Sequence, residues 1–468
     1  MENLKIDVVV IGGGPGGYAS ASYAVSCGKK VILIEKNERL GGTCLNCGCI
    51  PSKALLHVAE AVYGARAAEK LGLGFSEPSL DLAKLTAWKS EMIEKLGRGM
   101  KDLGGRRGIE IIQGRATFLD QRTVKVADKR ITFEHAIIAT GSTPALPKSL
   151  KISSPLVMTS TEALQLQEIP KRLLVIGAGY IGMELGTVYA ALGSKVTVVE
   201  VLPRILNGAD SDLIRYVEEM AKRRLEKLML NTKIAGLENC QNQVKAVIDA
   251  GGNITEELFD RVLVSTGRAP LTAEVRLEEI GVRLDERGFV RTDSAKRTSV
   301  PSIYAVGDVT GGVMLAHKAS CDARLAIDSI MGFPTPKSFP LIPAVVFTDP
   351  EVAWCGVTEN EARSAGTPVQ VIRFPWTASG RAVTMDRTDG VTKLLIDPAT
   401  EKIIGAGICG KGAGELIAET VLAIEGEMTA KELGRRVHPH PTLSETVVEC
   451  AEMFYGRSTS AFSRKRNG

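Results

Sequence analysis

No apolar run in the sequence approaches the roughly 18 residues that a membrane-spanning helix needs; the hydrophobic stretches are short and end in glycines or charges. Low-complexity segments are missing too. Charge of one sign is scarce: 58 Lys and Arg against 54 Asp and Glu leave a formal net charge of +4 over 468 residues. The basic residues are spread out, apart from Arg464, Lys465 and Arg466 at the tail. A chain so balanced lacks the basic face that nucleic acid requires, so neither nucleic acid nor membrane is an expected partner. Cysteine is sparse, with nine residues, too few for a disulfide scaffold. The first residues run directly into a strand pattern, IDVVVIGGG, without the basic, apolar and small-residue succession of a signal peptide, and the expected location is cytoplasmic.

What is present fits a globular protein: 44% hydrophobic and 24% charged residues, in a chain long enough for about three domains. One internal repeat organises it. A strand pattern from Ile6 to Ile11 leads into Gly12, Gly14 and Gly17, a helical stretch closed by Gly28, and a strand ending at Glu35. The same succession recurs from Leu173 to Ile176, through Gly177, Gly179 and Gly182, a helix closed by Gly193, and a strand ending at Glu200. The first glycine and the acid stand 23 residues apart in both copies. In such a unit the first glycine permits the tight strand-to-helix turn, the second admits a pyrophosphate, and the third lets helix pack on strand. The phosphates then sit at a helix N-terminus, where free N–H groups favour an anion. Two copies predict two dinucleotide sites. A carboxylate accepts hydrogen bonds from ribose hydroxyls and repels a 2′-phosphate, so Glu200 favours NAD over NADP.

Around these units, residues 53 to 103 read as helix, 109 to 138 as short strands, and 261 to 268 as a strand and turn. The Pro-rich FPTPKSFPLIP marks a boundary, beyond which VTKLLID and IIGAGIC alternate with helical stretches. The expected fold is α/β, with two doubly wound Rossmann-like nucleotide-binding domains and a C-terminal α+β domain. The expected division is 1–145 and 269–338 for a discontinuous first nucleotide-binding domain, 146–268 for the second, and 339–468 for the C-terminal domain.

Three cysteines, Cys44, Cys47 and Cys49, crowd into six positions. In a reducing compartment such a cluster points to redox catalysis or metal binding. A zinc site needs a second pair of ligands at similar spacing; no other Cys or His supplies one, so no metal is expected. By spacing alone Cys44 and Cys47 could pair as in a CxxC motif.

The segment GGTCLNCGCIPSK resembles the redox-active segment of the flavoprotein disulfide reductases, and GCIPSK resembles their lipoamide type in particular. The resemblance extends over nearly the whole chain through ATGS, GAGYIGMELG, TGR, AVGD, MLAHKA, TDPEVAWCGVTE, FPWTASGRA and HPHPTLSE. The resemblance implies FAD in the first nucleotide-binding domain, NAD in the second and dimerisation through the C-terminal domain. It implies a redox disulfide between Cys44 and Cys49, with Cys49 against the flavin and Cys44 exchanging with substrate. It implies Lys53 near the flavin and paired with Glu184, Asp308 on the ribityl chain, and His440 as acid–base residue oriented by Glu445. Further contacts to FAD or NAD are implied at Lys36, Gly42, Thr43, Ala116, Gly141, Ala316, Gly267 and Arg268, beside the glycines and acids of the repeat. Tyr180 either covers the nicotinamide pocket or packs as an ordinary aromatic. His57, His135 and His438 read as structural.

The implied activity is oxidation of dihydrolipoamide, carried on a lipoyl partner protein of a 2-oxo acid dehydrogenase or glycine cleavage complex, with reduction of NAD. The implied assembly is a homodimer whose partner subunit completes the site. Two departures from the family pattern stand out: Cys47 replaces a usually apolar residue, and ASCDARLA follows MLAHK where a more acidic, glycine-containing helix start is usual. Alternatives are a glutathione or mercuric reductase type, or a flavin sensor that does not turn over. Against these stand Glu200, the absence of a C-terminal cysteine pair, since Cys450 is the last cysteine, and the intact set of redox residues.

Overall fold

Val8 to Ile11 are buried on both faces, as a central parallel strand must be when layers cover it above and below. The computed structural model describes residues 2–334 and 339–462. The basic tail residues 464–466 and the expected boundary at 338 lie outside the described residues. Strand Glu2–Ile11 pairs in parallel with Val31–Glu35 on one side and Lys129–Ile138 on the other. Val31–Glu35 pairs onward with Glu110–Gln113. Past Lys129–Ile138 the sheet turns antiparallel through Thr123–Val126 and Ala116–Asp120. The late strand Ile303–Ala305 returns to pair with Ala136–Ile138, completing a seven-stranded sheet from two separate stretches of chain.

Between those stretches lies a second sheet of five parallel strands, in the spatial order Lys227–Met229, Lys195–Val199, Arg172–Ile176, Arg261–Val264, Val157–Met158. A short antiparallel ladder of Ser142–Pro144 with Arg268–Pro270 joins the two units. The repeat read in the sequence is the shared core of both. Helix Pro15–Ser26 follows the first glycine turn and helix Tyr180–Ala191 the second. A Cβ at Gly17 would lie 1.7 Å from the Gly12 carbonyl oxygen, and one at Gly182 would lie 2.0 Å from that of Gly177. No side chain fits there, so the third glycine of each motif is set by how closely the helix packs on its own turn.

The C-terminal sheet is antiparallel, in the order Ala344–Val346, Glu351–Gly356, Ile403–Gly410, Val391–Ile396, Gln370–Pro375. Helices Ala413–Glu425 and Glu445–Phe454 bury Ile417, Ala423, Val447 and Cys450 in the same apolar core as Leu394 and Ile408. The molecule is thus α/β, with two doubly wound units and a C-terminal α+β unit.

Three local readings need correction. The stretch 53–103 is not one helix: Cys49–Ala67 and Leu82–Arg106 are separated by a short 3-10 turn and an irregular stretch. Gly72, left-handed at φ +82°, caps the 3-10 turn Ala68–Leu71 that follows the first helix, and Gly74 and Pro78 keep the following residues from regaining helix. The strand before Glu200 stops at Val199, leaving the acid one residue beyond the ladder. A three-stranded antiparallel sheet, Lys233–Cys240, Gln243–Ala250 and Asn253–Phe259, has no counterpart in the reading above. Its signals were alternation in VKAVID and the Gly251–Gly252 hairpin turn, both residues at positive φ.

A buried ion cluster locks the second unit to the third. Lys393, on strand Val391–Ile396 with its side chain 1% exposed, places Nζ 2.7 Å from Asp210 Oδ2, 2.8 Å from Asp212 Oδ1 and 2.9 Å from Glu359 Oε1. Asp210 also accepts the backbone N–H groups of Glu359 and Asn360. Removing one partner of a buried pair leaves uncompensated charge. Lys393→Met should therefore lower stability by about 3 kcal/mol or more, read as a clear fall in thermal midpoint; an unchanged midpoint would show that the cluster relaxes without cost.

Candidate active site

Gly41 and Gly42 are both left-handed, at φ +100° and +55°, and a Cβ at Gly42 would come within 2.6 Å of Gly14 Cα. The redox segment therefore lies directly on the first glycine turn. It begins helix Gly42–Cys47, breaks at Gly48, and resumes as helix Cys49–Ala67. In one continuous helix, positions five apart point roughly 140° from each other. The break at Gly48 instead brings the Cys44 thiol to hydrogen-bond the Cys49 sulfur.

That contact sets the two thiols apart. The hydrogen bond from Cys44, with help from Lys53 and against the cost of burial, lowers Cys49 to about 7. The same hydrogen bond, with burial, pushes Cys44 up. In the dithiol state the negative charge therefore belongs to Cys49. Behind it, Lys53 Nζ lies 2.7 Å from Glu184 Oε2, on the helix that opens the second glycine motif. Ser52 Oγ donates to the same oxygen at 2.8 Å, and the Phe347 N–H donates to Glu184 Oε1 at 3.0 Å. The Lys53 ammonium also stands 4.5 Å over the Phe347 ring. Ser52 and Phe347 were not singled out in the sequence; Ser52 could have been found by adjacency to Lys53, whereas Phe347 acts through its backbone and gives no sequence signal.

A cavity of about 380 Å³ collects most of the expected site. It is lined by Gly12, Gly14, Glu35, Lys36, Gly42, Thr43, Cys44, Cys49, Lys53, Ala116, Gly141, Tyr180, Glu184, Arg268, Asp308 and Ala316. Gly17, Gly177, Gly179, Gly182, Glu200, Gly267, His440 and Glu445 do not line it. Tyr180 lines the cavity and is 40% exposed. Cys47 also faces the cavity, half-buried, with its thiol pushed up by burial; it lies on the cavity wall and not in the apolar core.

The cavity suits a flavin dinucleotide on its own terms. Helix Pro15–Ser26 has Gly14 at its N-cap and no side-chain cap, so its first-turn N–H groups remain for a phosphate. The Thr140 hydroxyl is buried without a partner on the cavity wall. Arg268 Nε donates to Ser142 Oγ at 2.7 Å, and Ser142 Oγ donates to Asp308, fixing that carboxylate at the cavity edge. The second site repeats the pattern: helix Tyr180–Ala191 starts at Gly179 without a side-chain cap, and a Cβ at Gly179 would meet nothing within 4 Å. The acids behave alike in both units. Glu35 accepts the Gly13 and Asn37 N–H groups at 2.6 and 2.8 Å, and Glu200 accepts those of Ala178 and Leu202 at 2.7 and 2.9 Å. Each carboxylate is thereby held at the mouth of its glycine turn.

His440 and Glu445 form their expected pair, with Nδ1 2.8 Å from Oε1. Burial opposes charge on Glu445, but the Thr442 N–H and the imidazole hold it below the usual carboxylate range. The imidazole is 79% exposed and stands outside the cavity of its own chain. His438 is held by Glu419 at 2.6 Å and by the Arg436 carbonyl, and burial lowers His135.

This architecture has known relatives. The family model described as pyridine nucleotide-disulphide oxidoreductase matches residues 6–323, and its dimerisation domain matches 342–451. The chain belongs to the pyridine nucleotide-disulphide oxidoreductase family. Among its relatives, the dihydrolipoyl dehydrogenase of Buchnera aphidicola subsp. Schizaphis graminum is 42% identical, over 100% of this chain and 99% of that protein. The dihydrolipoyl dehydrogenase of Haemophilus influenzae is 40% identical, over 98% and 97%. Among solved structures, LpdA of Mycobacterium tuberculosis superposes with TM-score 0.89 at 26% identity, covering 96% of this chain and all of that one. The flavoprotein disulfide reductase RclA of Escherichia coli gives 0.85 at 29%, covering 96% and 99%.

Because the Lys53 charge helps to lower Cys49, Lys53→Met should raise the Cys49 pKa above about 7 and reduce its thiolate fraction at neutral pH. The check is the pH dependence of iodoacetamide alkylation at Cys49 in the reduced protein. A profile identical to that of the unmodified protein would show that the ammonium does not act on this sulfur.

Proposed function

We propose that this chain oxidises dihydrolipoamide to lipoamide and reduces NAD, through a disulfide that cycles between Cys44 and Cys49. The observation that carries the reading is the thiol pair, split in acidity and backed by the Lys53–Glu184 ion pair, on the wall of a cavity shaped for a dinucleotide. The relatives named above, alike over their whole length, support the same activity. FAD, when bound, supplies the electron relay between the disulfide and the nicotinamide nucleotide.

The protein's own groups do the rest. Gly12, Gly14 and the N–H groups of helix Pro15–Ser26 bind the flavin's phosphates, and Glu35 its ribose. Gly177, Gly179 and Glu200 do the same for NAD, with Gly267 and Arg268 at the junction and Tyr180 covering the nicotinamide pocket. Asp308, fixed by Ser142, receives ribityl hydroxyls. Lys36, Gly42, Thr43, Ala116, Gly141 and Ala316 complete the flavin wall. A substrate thiolate attacks the Cys44 sulfur and breaks the Cys44–Cys49 bond, releasing Cys49 as the thiolate; the second substrate sulfur then displaces Cys44, closing the lipoyl disulfide and leaving the two cysteines reduced. His440, with Glu445 fixing its tautomer, takes the proton from the incoming dithiol. In its own chain His440 faces outward, which supports delivery to the partner subunit's cavity in a homodimer; the dimerisation domain supports that assembly.

We divide the chain as 1–145 and 269–338 for FAD, 146–268 for NAD and 339–468 for the interface, a division supported by the return of Ile303–Ala305 to the first sheet. Dihydrolipoamide arrives on a lipoyl carrier protein, and a cytoplasmic location fits the sparse cysteines of a reducing compartment.

Anaerobic titration with dihydrolipoamide tests the reading, through the appearance of a long-wavelength thiolate-to-flavin band; its absence in flavin-loaded protein would overturn it. His440→Gln should slow dihydrolipoamide oxidation by roughly 10² while NADH still reduces the flavin quickly. Equal loss of both half-reactions would make that histidine structural. NADH should outperform NADPH, and Glu200→Arg should narrow or reverse the preference by on the order of 2 kcal/mol, mostly in KM. Comparable kcat/KM for the two nucleotides in the unmodified protein would contradict the role of Glu200.

A further inference from the structure

We propose that Lys296 is a positioning residue for the redox reaction, its buried charge behind the Gly307–Gly311 turn raising the reduction potential of the bound flavin. This rests on the flavin reading above and goes beyond it, because Lys296 touches neither the cavity nor the thiols.

Three charged side chains meet behind the cavity wall. Asp322 is 0% exposed, and Lys296 and Lys318 are each 7% exposed. Lys318 Nζ lies 2.7 Å from Asp322 Oδ2 and Lys296 Nζ lies 2.8 Å from Asp322 Oδ1. Lys296 meets that oxygen as an ion pair and not as a directed hydrogen bond. Two ammonium groups on one carboxylate leave a net positive charge. The opposite side of Lys296 meets the face of Phe339 at 4.4 Å, which brings no countercharge.

The cluster is tied to the cavity through one turn. Asp322 Oδ2 accepts the Gly307 N–H at 3.0 Å, and Lys318 Nζ donates to Thr310 Oγ1 at 2.9 Å and to the Gly307 and Gly311 carbonyls. Gly307 and Asp308 line the cavity, as do Ala316 and Ala319 on the helix that carries Lys318 and Asp322. The one anion of the turn, Asp308, faces Arg268 at 3.8 Å on the cavity side. Arg324 and Glu425 act on the neighbouring Cys321 with opposite sign, as do Lys296 and Asp322. Among the described residues Asp322 is the carboxylate in ion-pair contact with both lysines, so one of the two positive charges is left unmatched there.

Two features argue that this lysine is more than filling. Its backbone is left-handed, at φ +65°, a conformation that costs a lysine free energy where glycine or asparagine would adopt it readily. An apolar side chain of the same volume would avoid the desolvation of a buried ammonium. Strain and buried charge held together in this way mark a functional constraint. Reduction adds negative charge to the flavin ring, and a fixed positive charge in a low-dielectric wall stabilises that state without reorganising.

The experiment compares the flavin-loaded protein with Lys296→Met and Lys296→Arg, measuring the flavin midpoint potential by dye-equilibrated reduction and the thermal midpoint in parallel. Loss of the charge should shift the balance toward oxidised flavin by on the order of tenfold, which for a two-electron couple is about 30 mV lower. Lys296→Arg should keep the unmodified potential. A Lys296→Met protein that binds FAD with an unchanged potential, whatever its thermal stability, overturns the inference alone. A fall in potential of equal size in Lys296→Arg overturns it too, since packing would then be the cause. Unmodified protein that takes up no FAD overturns the underlying reading and the inference with it.

Discussion

The carboxylate of Glu184 is the constraint on which the rest of the site depends. It is 3% exposed, and a charge so placed must be compensated where it stands. Its partners are Lys53, Ser52 and the Phe347 N–H, drawn from helix Cys49–Ala67 and from the edge of the C-terminal sheet. Because Glu184 itself sits on helix Tyr180–Ala191, one buried acid fixes the redox helix, the second nucleotide unit and the third unit against each other. The acidity of Cys49, set first by the hydrogen bond from Cys44, is tuned by the same arrangement, since Lys53 lowers it while Glu184 works against that effect. The position of the thiols and their chemistry are therefore consequences of a single packing solution.

A second constraint is duplication. In both units the third glycine sits too close to its own turn for any side chain, and the acid at or just past the end of the second strand accepts the N–H that follows the first glycine. The two units share a backbone device and differ in what is added to it. The first receives the cysteine segment and the late strand Ile303–Ala305, while the second receives the antiparallel sheet Lys233–Phe259 and the ion cluster around Lys393. Flavin-side chemistry and inter-unit rigidity are thus built on equal frames by different insertions.

Buried charge recurs as the means of holding units in place. Lys393 carries one cluster and Glu184 another, each joining separate units, while Asp322 with two lysines forms a third inside a single unit. Where the third cluster leaves a charge unmatched, it does so behind the turn that carries Asp308. The departure from the family pattern after MLAHK falls on this helix, and Asp322 within it is the anchor of the turn.

The sequence by itself determined the two nucleotide units, because a glycine turn between strand and helix and an acid at fixed distance declare themselves in local spacing. The Lys53–Glu184 pair and the His440–Glu445 dyad were expected only through the family resemblance of their segments, and the fold brings each pair together. The sequence also over-read continuity, since residues 53–103 keep helical texture across a break at Gly72 to Asp81. Tertiary structure alone decided which groups share a cavity. That Phe347 donates its N–H to Glu184, that Ser142 fixes Asp308, that Cys47 faces the cavity and that His440 faces away from its own thiols are matters of long-range approach. Such contacts join residues tens to hundreds of positions apart, often through the backbone. Residue type carries no record of them, and only the folded chain brings them within reach.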